Sequence, residues 1–260
     1  MSTALVIEND PTDDLRRLGE WLTDAGLAVT VLRPHAGDEI PDNLERYAAL
    51  VVLGGDQSAY PDVAGTPGAP WFPALEGLLR KAVRHRVPTL GVCLGGQLLA
   101  AAHGGLVERS TSGPEIGPGL VGKRDAADTD PLFKWVPLLP DVIQWHRDEI
   151  TELPLNSTLL AASSRFPHQA FRIGDRAWGL QFHIECDAGM MADWTRLGAA
   201  ELDELGYDAE TVVLAVADIL PDVEEVWQPF AARFAALALG TLPDADIPVQ
   251  PFRTLPLLGQ

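Results

Sequence analysis

The sequence predicts an α/β fold, with an open, mostly parallel central sheet flanked by helices. Two observations carry this. Short apolar runs alternate with segments of helical period through the first part of the chain, as strands joined by crossover helices do. The run at residues 48–53 is apolar throughout, as expected of a strand covered on both faces.

Residues 4–8 form a short apolar run with β-branched residues at its centre, the mark of a buried first strand. Asp10-Pro11 then opens a predicted helix, Asp10 as cap and Pro11 in the first helical position. Leu15, Leu18, Leu22 and Ala25 share one face of it, and Gly26 ends it. Residues 28–32 and 48–53 are the second and third strands. A helix over residues 74–86 stops before Pro88, residues 89–92 form another strand, and a helix runs from Leu94 to about His103.

Residues 106–173 read as short strands and turns. Gly174-Asp175-Arg176 forms a hairpin turn into a strand over residues 177–184. The chain becomes helical after Asp187, with a long stretch over residues 209–239. The last residues carry Pro243, Pro248, Pro251 and Pro256 and read as neither helix nor strand. With no internal repeat and no break in composition, residues 1–240 are expected to form a single domain and 241–260 a Pro-rich tail.

Composition narrows the function. The chain has 260 residues, 47% apolar and 22% charged, which excludes a disordered tail protein and is enough to bury a core without staples. No apolar run approaches the ~20 residues that span a bilayer. The start, Met1-Ser2-Thr3-Ala4, lacks a basic region and turns acidic at Glu8, unlike a signal peptide. With only Cys93 and Cys186, a disulfide framework is not expected, and a cytoplasmic location is. The net charge of -18 repels phosphate backbones and anionic lipid, so neither nucleic acid nor membrane is an expected partner.

The sharpest local pattern is Gly91-Val92-Cys93-Leu94-Gly95-Gly96-Gln97, where an apolar strand meets a helix through a small-residue turn. Gly-x-Cys-x-Gly is a nucleophile elbow carrying cysteine. The helix N-terminus favours a thiolate, and the N–H of Leu94 can meet an oxyanion. A buried, inert cysteine in a glycine-rich turn is the plainer alternative. A second pattern is Gln181-Phe182-His183-Ile184-Glu185. On a strand, His183 and Glu185 share a face, so the carboxylate can orient the imidazole. Taken alone, His-x-Glu is more often an ordinary surface pair. The order Cys, His, Glu counts against an α/β-hydrolase, in which the acid precedes the histidine. A third pattern is Gly54-Gly55 after the apolar strand, where backbone N–H groups can approach a ligand, or simply a tight turn.

With these blocks in this order, joined by Glu115-Ile116-Gly117 and Trp145-His146-Arg147-Asp148, residues 4–195 resemble the class I (triad) glutamine amidotransferase superfamily, in particular its stand-alone GMP-synthase-like members. The resemblance implies the flavodoxin-like fold of that family. It implies that Cys93 attacks the side-chain amide of glutamine, with His183 oriented by Glu185 and the N–H groups of Gly55 and Leu94 holding the oxyanion. It places Gly54, Gln97, Gln144, Trp145 and His146 about the substrate. Asp56 and Gly96 depart from common family residues, and Asp56 puts an acid beside the pocket mouth.

No cofactor and no metal are expected. Asp148 with His146, and His183 and Glu185 with Cys186, are the groups that could invite a metal, but the family roles account for most of these side chains, and Cys186 is expected to be a buried small hydrophobe. The chain shows no P-loop motif and has little length for a synthetase domain, so the acceptor of ammonia is expected on a separate partner. Two alternatives stand beside glutamine hydrolysis: cleavage of γ-glutamyl peptides or conjugates, and a regulatory protein whose site assembles only on a partner.

Overall fold

The computed structural model describes residues 2–243; the Pro-rich tail expected at 241–260 lies, from residue 244 onward, outside the described residues. The chain runs β1 (Thr3–Ile7), α1 (Arg16–Asp24), β2 (Ala28–Leu32), β3 (Ala49–Val52), α2 (Phe72–Arg84), β4 (Thr89–Val92) and α3 (Leu94–Ala101). The middle supplies β5 (Leu106–Arg109), β6 (Glu115–Leu120), β7 (Gly122–Lys123), β8 (Asp141–His146), β9 (Asp148–Glu152), β10 (Ser157–Ala162), β11 (Ala170–Ile173) and β12 (Ala177–Leu180). Three helices follow: α4 (Ala188–Leu197), α5 (Ala199–Leu205) and α6 (Ala209–Ala238).

An eight-stranded sheet in the order β2-β1-β3-β4-β12-β11-β10-β7 forms the centre. The pairs from β2 to β12 are parallel, and those from β12 to β7 are antiparallel. Helices cover both faces, which explains the unbroken apolar strands. In β1, Ala4 and Val6 face a core built with α1, α4 and α6, while Leu5 and Ile7 face the other, built with α2 and α3. In β3, Ala49 and Val51 face the first core, and Leu50 and Val52 the second.

Two expectations are corrected. The helix expected from Asp10 begins at Arg16. The Asp10 carboxylate accepts the Thr12 N–H at 2.9 Å and the Thr12 hydroxyl at 2.8 Å, a local turn that competes with helix and leaves residues 10–14 as a loop. The strand expected over residues 177–184 stops at Leu180. Beyond it, the Gln181 N–H donates to the Gln169 carbonyl and the His183 N–H to the Ile143 carbonyl, each at 2.8 Å, so the backbone leaves the sheet towards β8.

The long final helix, for which the sequence offers no functional role, is a layer of the fold. Trp227 and Phe230 of α6 pack edge-on against Phe133, Trp227 also meets Phe182, and its indole N–H donates to the Asp141 carbonyl at 2.9 Å. Pro221 and Pro229 lie inside α6.

Candidate active site

Loops at the C-terminal ends of β1, β3 and β4 meet over a cavity of about 470 Å³, the edge at which open α/β sheets bind ligands. Asp13, Gly55, Cys93, Leu94, Trp145 and Trp194 are among its lining residues.

Cys93 occupies the turn from β4 into α3 at φ 49° and ψ -111°, a conformation that costs a non-glycine residue about 1–3 kcal/mol. The surroundings enforce it. The Cys93 N–H donates to the Leu180 carbonyl at 2.8 Å, and the Gln97 N–H returns to the Cys93 carbonyl at 3.0 Å. The first turn of α3 lies directly on the neighbouring strands: a Cβ on Gly95 would collide with the Val52 carbonyl, and one on Gly96 would lie 2.7 Å from the Leu180 oxygen. The glycines therefore serve close approach of helix to sheet. The sulfur is 3.9 Å from the Trp145 carbonyl oxygen, accepts an N–H of Gln181 at 3.8 Å, and sits at the positive end of α3.

His183 and Glu185 are buried just past the end of β12. The ring Nδ1 donates to Glu185 Oε1 at 2.7 Å. Burial pulls the imidazole pKa down, but Glu185, then Cys93, outweigh it and hold it well above the ordinary histidine value. Nε2 is buried without a conventional hydrogen-bond partner. A thiol at a helix N-terminus, an imidazole under its influence and a carboxylate on the far ring nitrogen are the parts of nucleophilic acyl chemistry.

The other residues singled out by sequence divide. Gly55 and Leu94 line the cavity beside Cys93. Gly54 lies behind it, where a Cβ would be 2.5 Å from Asp13 Oδ1 and 3.2 Å from His183 Cε1. Gln97 lines the cavity, but its amide nitrogen donates to the Asp148 carbonyl at 3.3 Å and to Gln181 Oε1 at 3.2 Å. Trp145 lines it and stacks on Trp194, with centroids 5.8 Å apart. His146 also lines it with both nitrogens engaged, Nδ1 by the Asp148 carbonyl at 2.9 Å and Nε2 by Glu115 at 3.2 Å. Gln144 is not among the lining residues; its amide donates to Gln169 Oε1 at 3.1 Å. Cys186 is buried against the Asp187 carbonyl, and burial pushes its thiol pKa up.

Sequence reasoning missed three features. Asp13, read as helical, sits on the loop after β1, and burial raises its pKa to about 7. Trp194 of α4 packs edge-on against His183 with centroids 4.7 Å apart, and its indole N–H donates to the Thr12 carbonyl at 3.1 Å. Arg147 bridges the rim: its Nε donates to both Glu201 oxygens at 2.8 and 2.7 Å, and its guanidinium pairs with Asp56 at 2.9 Å. The Asp56 noted as an unusual acid at the mouth is thus one arm of a charged strap. Only an acidic residue following a strand at the ligand edge could have pointed to Asp13, and the helix-start pattern masked it.

Asp13, His183 and Glu185 offer side-chain atoms all within 4.8 Å of one another, a spacing that a metal could also use. A metal there would compete with the hydrogen bond that orients the ring, so the cluster reads as a proton-sharing group.

The mostly parallel sheet flanked by helices is the fold of glutamine amidotransferases. The chain belongs to the class I glutamine amidotransferase family, whose model matches residues 16–193. A glutamine amidotransferase from Thermotoga maritima superposes with a TM-score of 0.79 at 27% identity, covering 90% of this chain and 98% of that one. Gamma-glutamyl peptidase 4 of Arabidopsis thaliana is 32% identical over 60% of this chain and 61% of its own length. A glutamine-hydrolysing GMP synthase component from Saccharolobus solfataricus is 29% identical over 62% of this chain and 77% of its own. Matches to the Arabidopsis peptidases span about 60% of their length. The family and the mostly parallel sheet flanked by helices agree with the expectation from sequence. Among the described residues, no helix is long and apolar enough to cross a membrane.

Proposed function

We propose that this protein hydrolyses the side-chain amide of glutamine through a γ-glutamyl thioester on Cys93, releasing ammonia. The observation that carries the reading is Cys93 held at φ 49° at the start of α3, with the His183–Glu185 pair buried behind it. The Cys93 thiolate adds to the amide carbon, and the N–H groups of Gly55 and Leu94 take the oxyanion. The imidazolium of His183 gives its proton to the departing nitrogen, and the C–N bond breaks. The neutral ring then takes a proton from water, which adds to the thioester and frees glutamate and the thiolate. Glu185 keeps Nδ1 occupied throughout, so proton exchange is confined to Nε2. Trp145 and His146 shape the wall, and Gln97 stiffens it.

Ammonia released this way would serve an acceptor on a separate partner, as the name of the Saccharolobus relative, one component of a GMP synthase, suggests. A second reading keeps the chemistry and enlarges the substrate to a γ-glutamyl peptide or conjugate. The cavity of about 470 Å³ favours it, because sites of roughly 300–1,000 Å³ hold drug-sized ligands. The likeness to the Arabidopsis gamma-glutamyl peptidases supports it too. Ammonia release from glutamine, and amine release from γ-glutamyl dipeptides, by purified protein with Cys93→Ala as control decide between them. Cys93-dependent release from glutamine supports the first, and preference for the dipeptide the second. Release that survives Cys93→Ala overturns both.

A further inference from the structure

We propose that Asp13 is a positioning residue of this site: a second carboxyl, carried on the β1–α1 loop, that shares the His183 ring with Glu185 and sets how firmly the ring holds its proton. The inference rests on the reading of His183 as the proton-transfer group. Asp13 is 6% exposed, on the loop between β1 and α1. It brings a carboxylate oxygen within 4.8 Å of ligand atoms of both His183 and Glu185. Its Oδ1 and the His183 Cε1 edge both crowd Gly54, where a side chain would push them apart. The loop is pinned on the ring's side by Trp194, which touches His183 and holds the Thr12 carbonyl. Glu185 uses one oxygen on the ring, and its other oxygen, Oε2, is buried without a hydrogen-bond partner.

Two buried carboxyls and one imidazole cannot all be charged without a net negative charge, so a proton is shared among them. Burial first of all raises the Asp13 pKa, to about 7; the charge on His183 opposes this, and Glu185 and Asp10 add to it. Cys186 faces the same group from the 181–186 segment and stays a neutral thiol. The flanking cation Arg16 is drawn to Asp14 at 2.7 Å, with Asp187 and Asp193 at 3.9 and 3.8 Å. With its pKa raised to about 7 by burial, Asp13 changes charge near neutrality. Ionised, it favours the imidazolium that protonates a leaving amine. Protonated, it favours the neutral ring that takes a proton from water.

The test is an NMR titration of the full-length protein, following the Asp13 carboxyl carbon and the His183 ring nitrogens, in wild type and Asp13→Asn. The Asp13 carbon is expected to move near neutrality, and the His183 midpoint to fall by about one pH unit or more in Asp13→Asn. The pH profile of Cys93 alkylation by iodoacetamide should move with it. If Asp13 titrates in the ordinary range near ~3.9, or His183 is unmoved by Asp13→Asn, the proposal is overturned. Should Asp13→Asn fail to fold, the wild-type titration decides: coupled midpoints of the Asp13 carbon and the His183 ring nitrogens support the proposal, and independent ones sink it. None of these readouts needs turnover, so absence of glutamine hydrolysis would count against the proposed function without touching this one.

Discussion

His183 Nδ1 and Glu185 Oε1 lie 2.7 Å apart although neither residue belongs to a regular strand. The bridge from His183 to Ile143 fixes the backbone that strand pairing would otherwise have fixed. Glu185→Gln keeps the shape but removes the charge that stabilises the imidazolium. It is expected to lower amide hydrolysis about 10²–10⁴-fold, with some activity left. Cys93→Ala is expected to abolish it. Steady-state kinetics on the substrate that the wild type turns over checks both.

Gly95 faces the Val52 carbonyl across a gap that leaves no room for a Cβ. Gly95→Ala must push α3 off β3 and move Cys93 with it. A loss of about 3 kcal/mol in stability is expected, together with loss of activity. Urea denaturation measures the first. An alanine variant of wild-type stability would show that the elbow is not locked by this contact.

Asp13 also leaves a mark on stability. Its folded pKa of about 7 lies above the ordinary aspartate value of 3.8, so the folded state holds the proton more tightly than the unfolded chain. This contribution is complete below about pH 3.8 and is lost as pH rises to 7. Asp13→Asn removes the cost of the buried charge. Relative to wild type it should therefore gain stability between acid and mildly alkaline pH, by up to roughly 4 kcal/mol. Denaturation midpoints of the two proteins across that interval test the sign. A constant difference would contradict it.

Arg147 joins the loop after β3 to α5 through Asp56 and Glu201, at the rim of the cavity. Asp56 is largely exposed, so this strap should add about 1 kcal/mol or less to stability. Arg147→Met is expected to leave the unfolding midpoint almost unchanged and to raise KM more than it lowers kcat. On the γ-glutamyl reading the change should be larger for a γ-glutamyl dipeptide than for glutamine, because a longer substrate would extend further towards the rim. Equal effects on the two substrates would separate the strap from substrate choice.

Features that depend on local pattern were legible in the residues themselves. Apolar runs and helical periods marked the parallel half of the sheet, because burial on two faces writes itself into consecutive residues. The glycines around Cys93 marked the elbow, because a helix resting on strand backbone tolerates no side chain there. Features that join residues far apart in the chain emerged only on folding. His183 and Glu185 were legible as a pair, but not as residues beyond the strand, because the bridge to Ile143 is made to β8, a strand far back in the chain. Asp13 was hidden inside a plausible helix start, since a carboxylate on a loop carries no local sign that it will be buried beside an imidazole. Trp194 and Glu201 reach the site from helices that follow the sheet, and their places were fixed by how α4 and α5 pack, which no spacing along the chain encodes.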